Sequence, residues 1–135
     1  MLMFAYYMNY QLLVVAVLLL IIDSIYLKST SAYFNKQVAR VQGSPIALDM
    51  YAAILCYAVL AFGLYYFIIK EKRSVVDAFL LGFVIYMVFE ATNKAIFKNW
   101  SWTSVLIDGV WGGILYALTT MLTYRIYNYL KKPHM

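Results

Sequence analysis

The sequence predicts an all-α integral membrane protein, a four-helix bundle of antiparallel up-down spans with room for a short interfacial helix after span one. Three observations carry this. The 135 residues are 65% hydrophobic and 13% charged. A soluble domain carries about 25% charged residues, so this chain cannot cover a water-facing surface. Four apolar runs each approach the ~20 residues that cross a ~30 Å hydrocarbon core. Most of the charged residues gather where those runs end. The length allows one domain, so residues 1–135 read as a single transmembrane domain.

Span one is expected over residues 6–28, its centre almost pure Leu, Val and Ile. It lacks a basic start and has Asp23 near its far end, unlike a cleaved signal peptide. The polar stretch that follows has Phe34, Val38 and Val41 at helical spacing, which suits an interfacial helix. Gly43-Ser44-Pro45 reads as a stop and a restart, with Ser44 as N-cap and Pro45 at the first helical position.

Span two is expected over residues 46–69, with Ala53, Cys56, Leu60 and Gly63 giving one face mostly small side chains. It ends in Lys70-Glu71-Lys72-Arg73, and Ser74 with Asp77 forms a capping-box-like start for span three, residues 75–98. The short turn predicts that spans two and three are antiparallel neighbours. Trp100 and Trp102 in the next turn sit at the depth of an aromatic belt. Span four is expected over residues 103–124. Gly109-x-x-x-Gly113, with Gly112 between them, gives it a close-contact edge. The tail, residues 125–132, reads as amphipathic and outside the membrane.

Composition also excludes function classes. The formal charge is +5, but the 11 Lys and Arg are scattered at helix ends. They do not form the clustered basic face that nucleic-acid binding needs. Cys56 is the only cysteine and His134 the only histidine, next to last. An intramolecular disulfide, a Cys-rich metal site and a buried His site are therefore excluded. No phosphate-cradling Gly loop, dinucleotide fingerprint or Ser-His pairing is present.

The acids stand out. Asp23 lies late in span one, Asp49 early in span two, Glu90 late in span three and Asp108 early in span four. Alternating helix direction puts all four on one side of the membrane. Asp49 suits a helix N-terminus. Glu90 is the deepest, and a charge at that depth costs ~2.5–3.5 kcal/mol on insertion scales before partners relieve it. Gly82, Tyr86, Glu90, Asn93 and Phe97 share a helix face. Lys94, four residues on, is at ion-pair spacing from Glu90, and Lys28 could pair with Asp23.

Carboxylates without histidine or cysteine suit hard ligands. Asp23, Glu90 and Asp108 with the Asn93 carbonyl could bind a cation or ammonium group, with no particular metal or cofactor indicated. Held close in low dielectric they would share protons, the basis of a relay. The same groups could act as acid and base on a lipid headgroup. Tyr26, Tyr86 and Trp111 are the aromatics placed to line such a pocket and to hold an organic cation by a ring face. The bland alternatives are Lys28 and Lys94 pairing with the acids and the aromatics filling the core.

These features together resemble a known family of small four-span membrane proteins, domain of unknown function 2177. The resemblance rests on Asp23-Ser24-Ile25-Tyr26-Leu27, on Tyr86, Glu90, Thr92 and Asn93, on Trp100, and on Asp108-Gly109-Val110-Trp111-Gly112, covering about residues 23–118. Glu90 stands where the pattern expects Asp, Tyr26 where it expects Trp and Lys28 where it expects Gly. The resemblance implies four spans and marks the same polar residues, and it implies no activity.

Lys and Arg divide six against five between the two membrane sides. The compact turn at residues 70–73 and the basic tail favour cytoplasmic termini. Three functions remain open: proton- or cation-linked transport or conduction, a membrane-embedded lipid-modifying enzyme or accessory subunit, and a structural protein without chemistry. One chain encloses little space, so transport of a small cation or polar solute implies a homo-oligomer in the lipid bilayer, with Gly109 and Gly113 as one contact.

Overall fold

A computed structural model describes the backbone of residues 2–131 and the side chains of residues 10–130. Within them lie four helices, α1 (Leu2–Gln42), α2 (Met50–Leu64), α3 (Val75–Ile96) and α4 (Trp102–Lys131). All four are long and apolar enough to span a membrane once α2 is counted through Ile69. The chain is an all-α, multi-pass integral membrane bundle. Lys132 at the end of the expected amphipathic tail, and His134, lie outside the described residues.

α1 departs from the expected layout. It does not stop near residue 28 and restart as an interfacial helix; the polar stretch continues the same helix to Gln42. At ~1.5 Å per residue its 41 residues reach ~60 Å, well beyond the ~40–45 Å of a whole bilayer. It can project because its last turns find partners outside the apolar zone. Gln37, 1% exposed, is the centre of that contact. Its Nε2 donates to the Asn99 carbonyl at 2.9 Å, and its Oε1 accepts from Ser101 N at 3.1 Å and Ser104 Oγ at 2.7 Å. Asn99 Nδ2 in turn donates to the Arg40 carbonyl at 3.1 Å. The helix ends at Gly43, whose φ of +76° permits a left-handed cap.

Ser44 and Pro45 do not start α2. Asp49 is its N-cap, accepting from Ala52 N at 3.2 Å. A side chain with two acceptor oxygens and extended backbone does the capping. α2 ends in a π-helical turn, Tyr65–Ile69, marked by Lys70 N donating to the Tyr65 carbonyl at 2.8 Å. Ser74 caps α3 through Asp77 N, and Ser101 caps α4 through Ser104 N.

The order of packing is α2–α1–α4–α3. α3 lies along α4 over its whole length, α1 bridges α4 and α2, and α2 scarcely touches α3. The expectation that the short turn makes α2 and α3 packed neighbours is therefore wrong. Glycine explains the preference for α4. A Cβ on Gly82 would lie 2.1 Å from the Gly112 carbonyl oxygen, and one on Gly112 would lie 2.3 Å from the Tyr86 ring. Gly109 meets Met87 and Gly113 meets Phe79 in the same way. This edge is filled by α3 of the same chain, so it is not free for a second copy. Small residues permit such approach in lipid, where packing rather than water expulsion drives association. α2 is instead tied to α4 through tyrosines: Tyr116 Oη donates to the Leu60 carbonyl at 2.7 Å and Tyr124 Oη to the Arg73 carbonyl at 2.5 Å.

Candidate functional site

Three of the sequence-predicted acids lie within one chain of contacts. Asp23 on α1 is 5% exposed. Its Oδ1 accepts from Trp111 Nε1 at 2.9 Å, and its Oδ2 accepts from Tyr57 Oη. The Trp111 ring stacks on Tyr26, with centroids 4.3 Å apart and planes 9° from parallel. Tyr26 Oη donates to Asp108 Oδ1 at 3.0 Å. Asp108 lies beside Glu90, and Glu90 Oε2 accepts from Trp100 Nε1 at 2.7 Å. All four helices and the α3–α4 turn contribute.

No lysine takes part. Among the described residues the only ion pair is Arg73–Asp77, 3.1 Å, in the turn between α2 and α3. Lys94 lies over the Trp102 ring, 5.6 Å from its centroid, and Lys28 is exposed. The expected Glu90–Lys94 and Asp23–Lys28 pairs do not form. The energetics do not require them. A hydrogen bond to a charged group contributes ~1.5–3 kcal/mol. The two that Asp23 accepts are enough to offset the ~2.5–3.5 kcal/mol cost of burying it.

Glu90 and Asp108 lie beside each other, flanked by Trp100 on one side and Tyr26 on the other. Among the described residues no three of His, Cys, Asp and Glu converge as metal ligands. Asp23, Glu90 and Asp108 thus do not form a single cage. Asn93 is buried one turn beyond Glu90 and its side chain stands outside the hydrogen-bonded chain. Asp49, the fourth acid of the pattern, only caps α2.

Beside the acids is a cavity of about 280 Å³, near the low end of the ~300–1,000 Å³ of ligand pockets. Asp23, Tyr26, Tyr86 and Asp108 supply its polar groups. Leu27 of α1, Cys56 and Leu60 of α2, and Ile85 and Phe89 of α3 line the rest. Phe89 is 58% exposed and Cys56 is also exposed. The exposed lining residues, Leu27, Cys56 and Phe89, come from α1, α2 and α3, so the cavity opens on the side of the bundle. Tyr57 was not singled out from the sequence. It lies one residue from Cys56, which sits on the small-residue face of α2, and the sequence does not separate it from the other 13 tyrosines.

The family model for a predicted membrane protein, domain of unknown function 2177, matches residues 6–125. The chain belongs to that family. No curated protein and no solved structure matches it. Membership agrees with the four spans and assigns no activity to a family member's site. The chemistry of this member must come from its own residues.

Proposed function

We propose that this family member is a membrane-embedded lipid-modifying enzyme or its accessory subunit, and that its cavity takes the head of a lipid-soluble molecule from the bilayer. The observation that carries this is a cavity open on the side of the bundle, apolar in nearly all of its lining, with Asp23 and Asp108 among the residues around it. A hydroxyl or ammonium head suits Asp23 and Asp108, which accept hydrogen bonds; a carboxylate head does not. The Glu90–Asp108 pair then acts as the acid or base that exchanges a proton with the head. The cavity holds a head and its first carbons, leaving the remaining chain in the bilayer.

The test uses the full chain in nanodiscs with three photoactivatable probes of equal chain length: a fatty amine, a fatty alcohol and a fatty acid. Crosslinking mapped by mass spectrometry is expected at Cys56, Ile85 or Phe89 for the amine and alcohol, reduced in Asp23→Asn and Asp108→Asn. Equal labelling by the fatty acid, or labelling spread evenly over lipid-facing residues, would overturn the proposal.

The buried juxtaposition of Glu90 and Asp108 favours a second reading, proton-linked transport or conduction. On that reading a homo-oligomer encloses the path and a small cation or polar solute is the cargo. Proton flux into proteoliposomes without added substrate, abolished by Glu90→Gln, is its expected signature. On either reading the basic turn at residues 70–73 favours cytoplasmic termini, with the acids toward the other side.

A further inference from the structure

A second cavity, of about 380 Å³, lies at the opposite end of the bundle from the acids. Gln11 of α1 and Tyr124, Tyr127 and Asn128 of α4 form its walls. Lys70 and Lys72, from the turn after α2, stand at its edge. No acid lines it, and the nearby Asp77 is engaged by Arg73. Neither lysine has a carboxylate partner; Lys70 Nζ sits over the Tyr66 ring, 4.7 Å from its centroid.

The turn that carries these lysines is built and held. The π-helical turn closes with Lys70 N on the Tyr65 carbonyl, and Arg73 N reaches the Ile68 carbonyl at 2.9 Å. Lys72 has a φ of +53°, a left-handed conformation uncommon outside glycine. Tyr124 Oη pins the far side through the Arg73 carbonyl. Inside, the Tyr127 hydroxyl is buried beside the Gln11 amide. The pocket thus offers two ammonium groups, two amides and a phenol, and no acid lines it.

We propose that this pocket binds the phosphate of an anionic phospholipid headgroup. Lysine is a point-charge partner for phosphate, and basic residues next to a span attract anionic lipid. The span ends put the pocket at the depth where glycerophosphate groups lie. This site shares no residue with the acid cavity and stands whether or not that cavity handles lipid.

The experiment compares the full chain in nanodiscs of phosphatidylcholine alone and of phosphatidylcholine with phosphatidylglycerol. Lipid retained after detergent release is counted by native mass spectrometry, and melting is followed in parallel. One phosphatidylglycerol retained per chain is expected, with no phosphatidylcholine. The Lys70→Gln/Lys72→Gln double variant should lose roughly thirtyfold in retention, the scale of two interfacial lysines. Tyr127→Phe removes only the buried hydroxyl and should lower retention while the helical content holds; it decides the matter if the double variant fails to fold. Unchanged retention in a folded variant would overturn the proposal. So would equal retention of phosphatidylcholine. Inorganic phosphate raising the melting temperature in phosphatidylcholine discs as much as phosphatidylglycerol does would overturn the lipid as the source of the anion.

Discussion

Trp100 Nε1 donates to Glu90 Oε2 at 2.7 Å, tying the turn between α3 and α4 to an acid ten residues earlier on α3. Both residues are buried, Trp100 at 8% and Glu90 at 1% exposure. Trp102, the first residue of α4, points outward at 66%. Two residues apart in sequence, one tryptophan turns to the acids and the other to the outer surface.

Trp100→Phe keeps the ring and deletes the donor. Leaving a buried acceptor without its donor costs about 1–3 kcal/mol. In the Glu90→Gln background the same change should cost less, because the carboxyl group that the indole serves has gone. Denaturant titration in mixed micelles of wild type, both single variants and the double variant measures the coupling. Additive losses would show that Trp100 acts by packing alone.

The glycines should rank by what a methyl group would meet. At Gly82 it meets backbone at 2.1 Å, and at Gly112 the Tyr86 ring at 2.3 Å. At Gly63 the nearest atom is Tyr116 Oη at 3.5 Å, an ordinary contact. Gly82→Ala and Gly112→Ala should destabilise by at least the ~1–3 kcal/mol of overpacking, Gly82→Ala the more because backbone must move. Gly63→Ala should be neutral or stabilising by up to ~1 kcal/mol through helix propensity. Melting in a single detergent gives the order, which also tests the α3–α4 contact.

Much of the fold was legible because span length and acid position are properties of single helices. Asp23, Glu90 and Asp108 could be put at one end of the bundle from alternation alone. Their partners could not, because they depend on which helices touch. The four-residue spacing of Glu90 and Lys94 suggested an ion pair, but Glu90 turns toward α4 and the Trp100 turn, and Lys94 takes the Trp102 ring. The cavity was hidden for the same reason. A short turn between α2 and α3 suggests packed neighbours, whereas the small residues that draw helices together sit on α3 and α4. The length of α1 was missed because its polar last turns look like an exit from the membrane; Gln37 gives them a partner in a turn about 60 residues away.

Gln37→Ala should loosen that partner without touching the acids. The Ser101 amide donates to Gln37 Oε1, so its hydrogen exchange should rise, with Asn99 and the last turns of α1 following. Three lost hydrogen bonds at ~0.5–1.5 kcal/mol each set the expected scale at about 2–4 kcal/mol of local opening. Exchange–mass spectrometry of residues 33–42 and 97–104 measures it. Unchanged protection there would mean that α1 is held by its apolar contacts alone.

Cys56 offers the sharpest separation of the functional readings. It is the only cysteine, exposed, and a lining residue of the acid cavity. If the cavity opens to lipid on the side of the bundle, a small uncharged maleimide dissolved in the bilayer should modify it. A permanently charged thiol reagent added from water should not, since charge is expelled from that depth. A fatty alcohol or fatty amine occupying the cavity should slow the uncharged reagent. Intact-mass analysis after timed quenching reads both rates. Fast modification by the charged reagent would mean that water reaches the acids from an aqueous face, which supports conduction over lateral lipid entry. The Cys56→Ser chain is the blank, and its unchanged mass assigns the label to this one thiol.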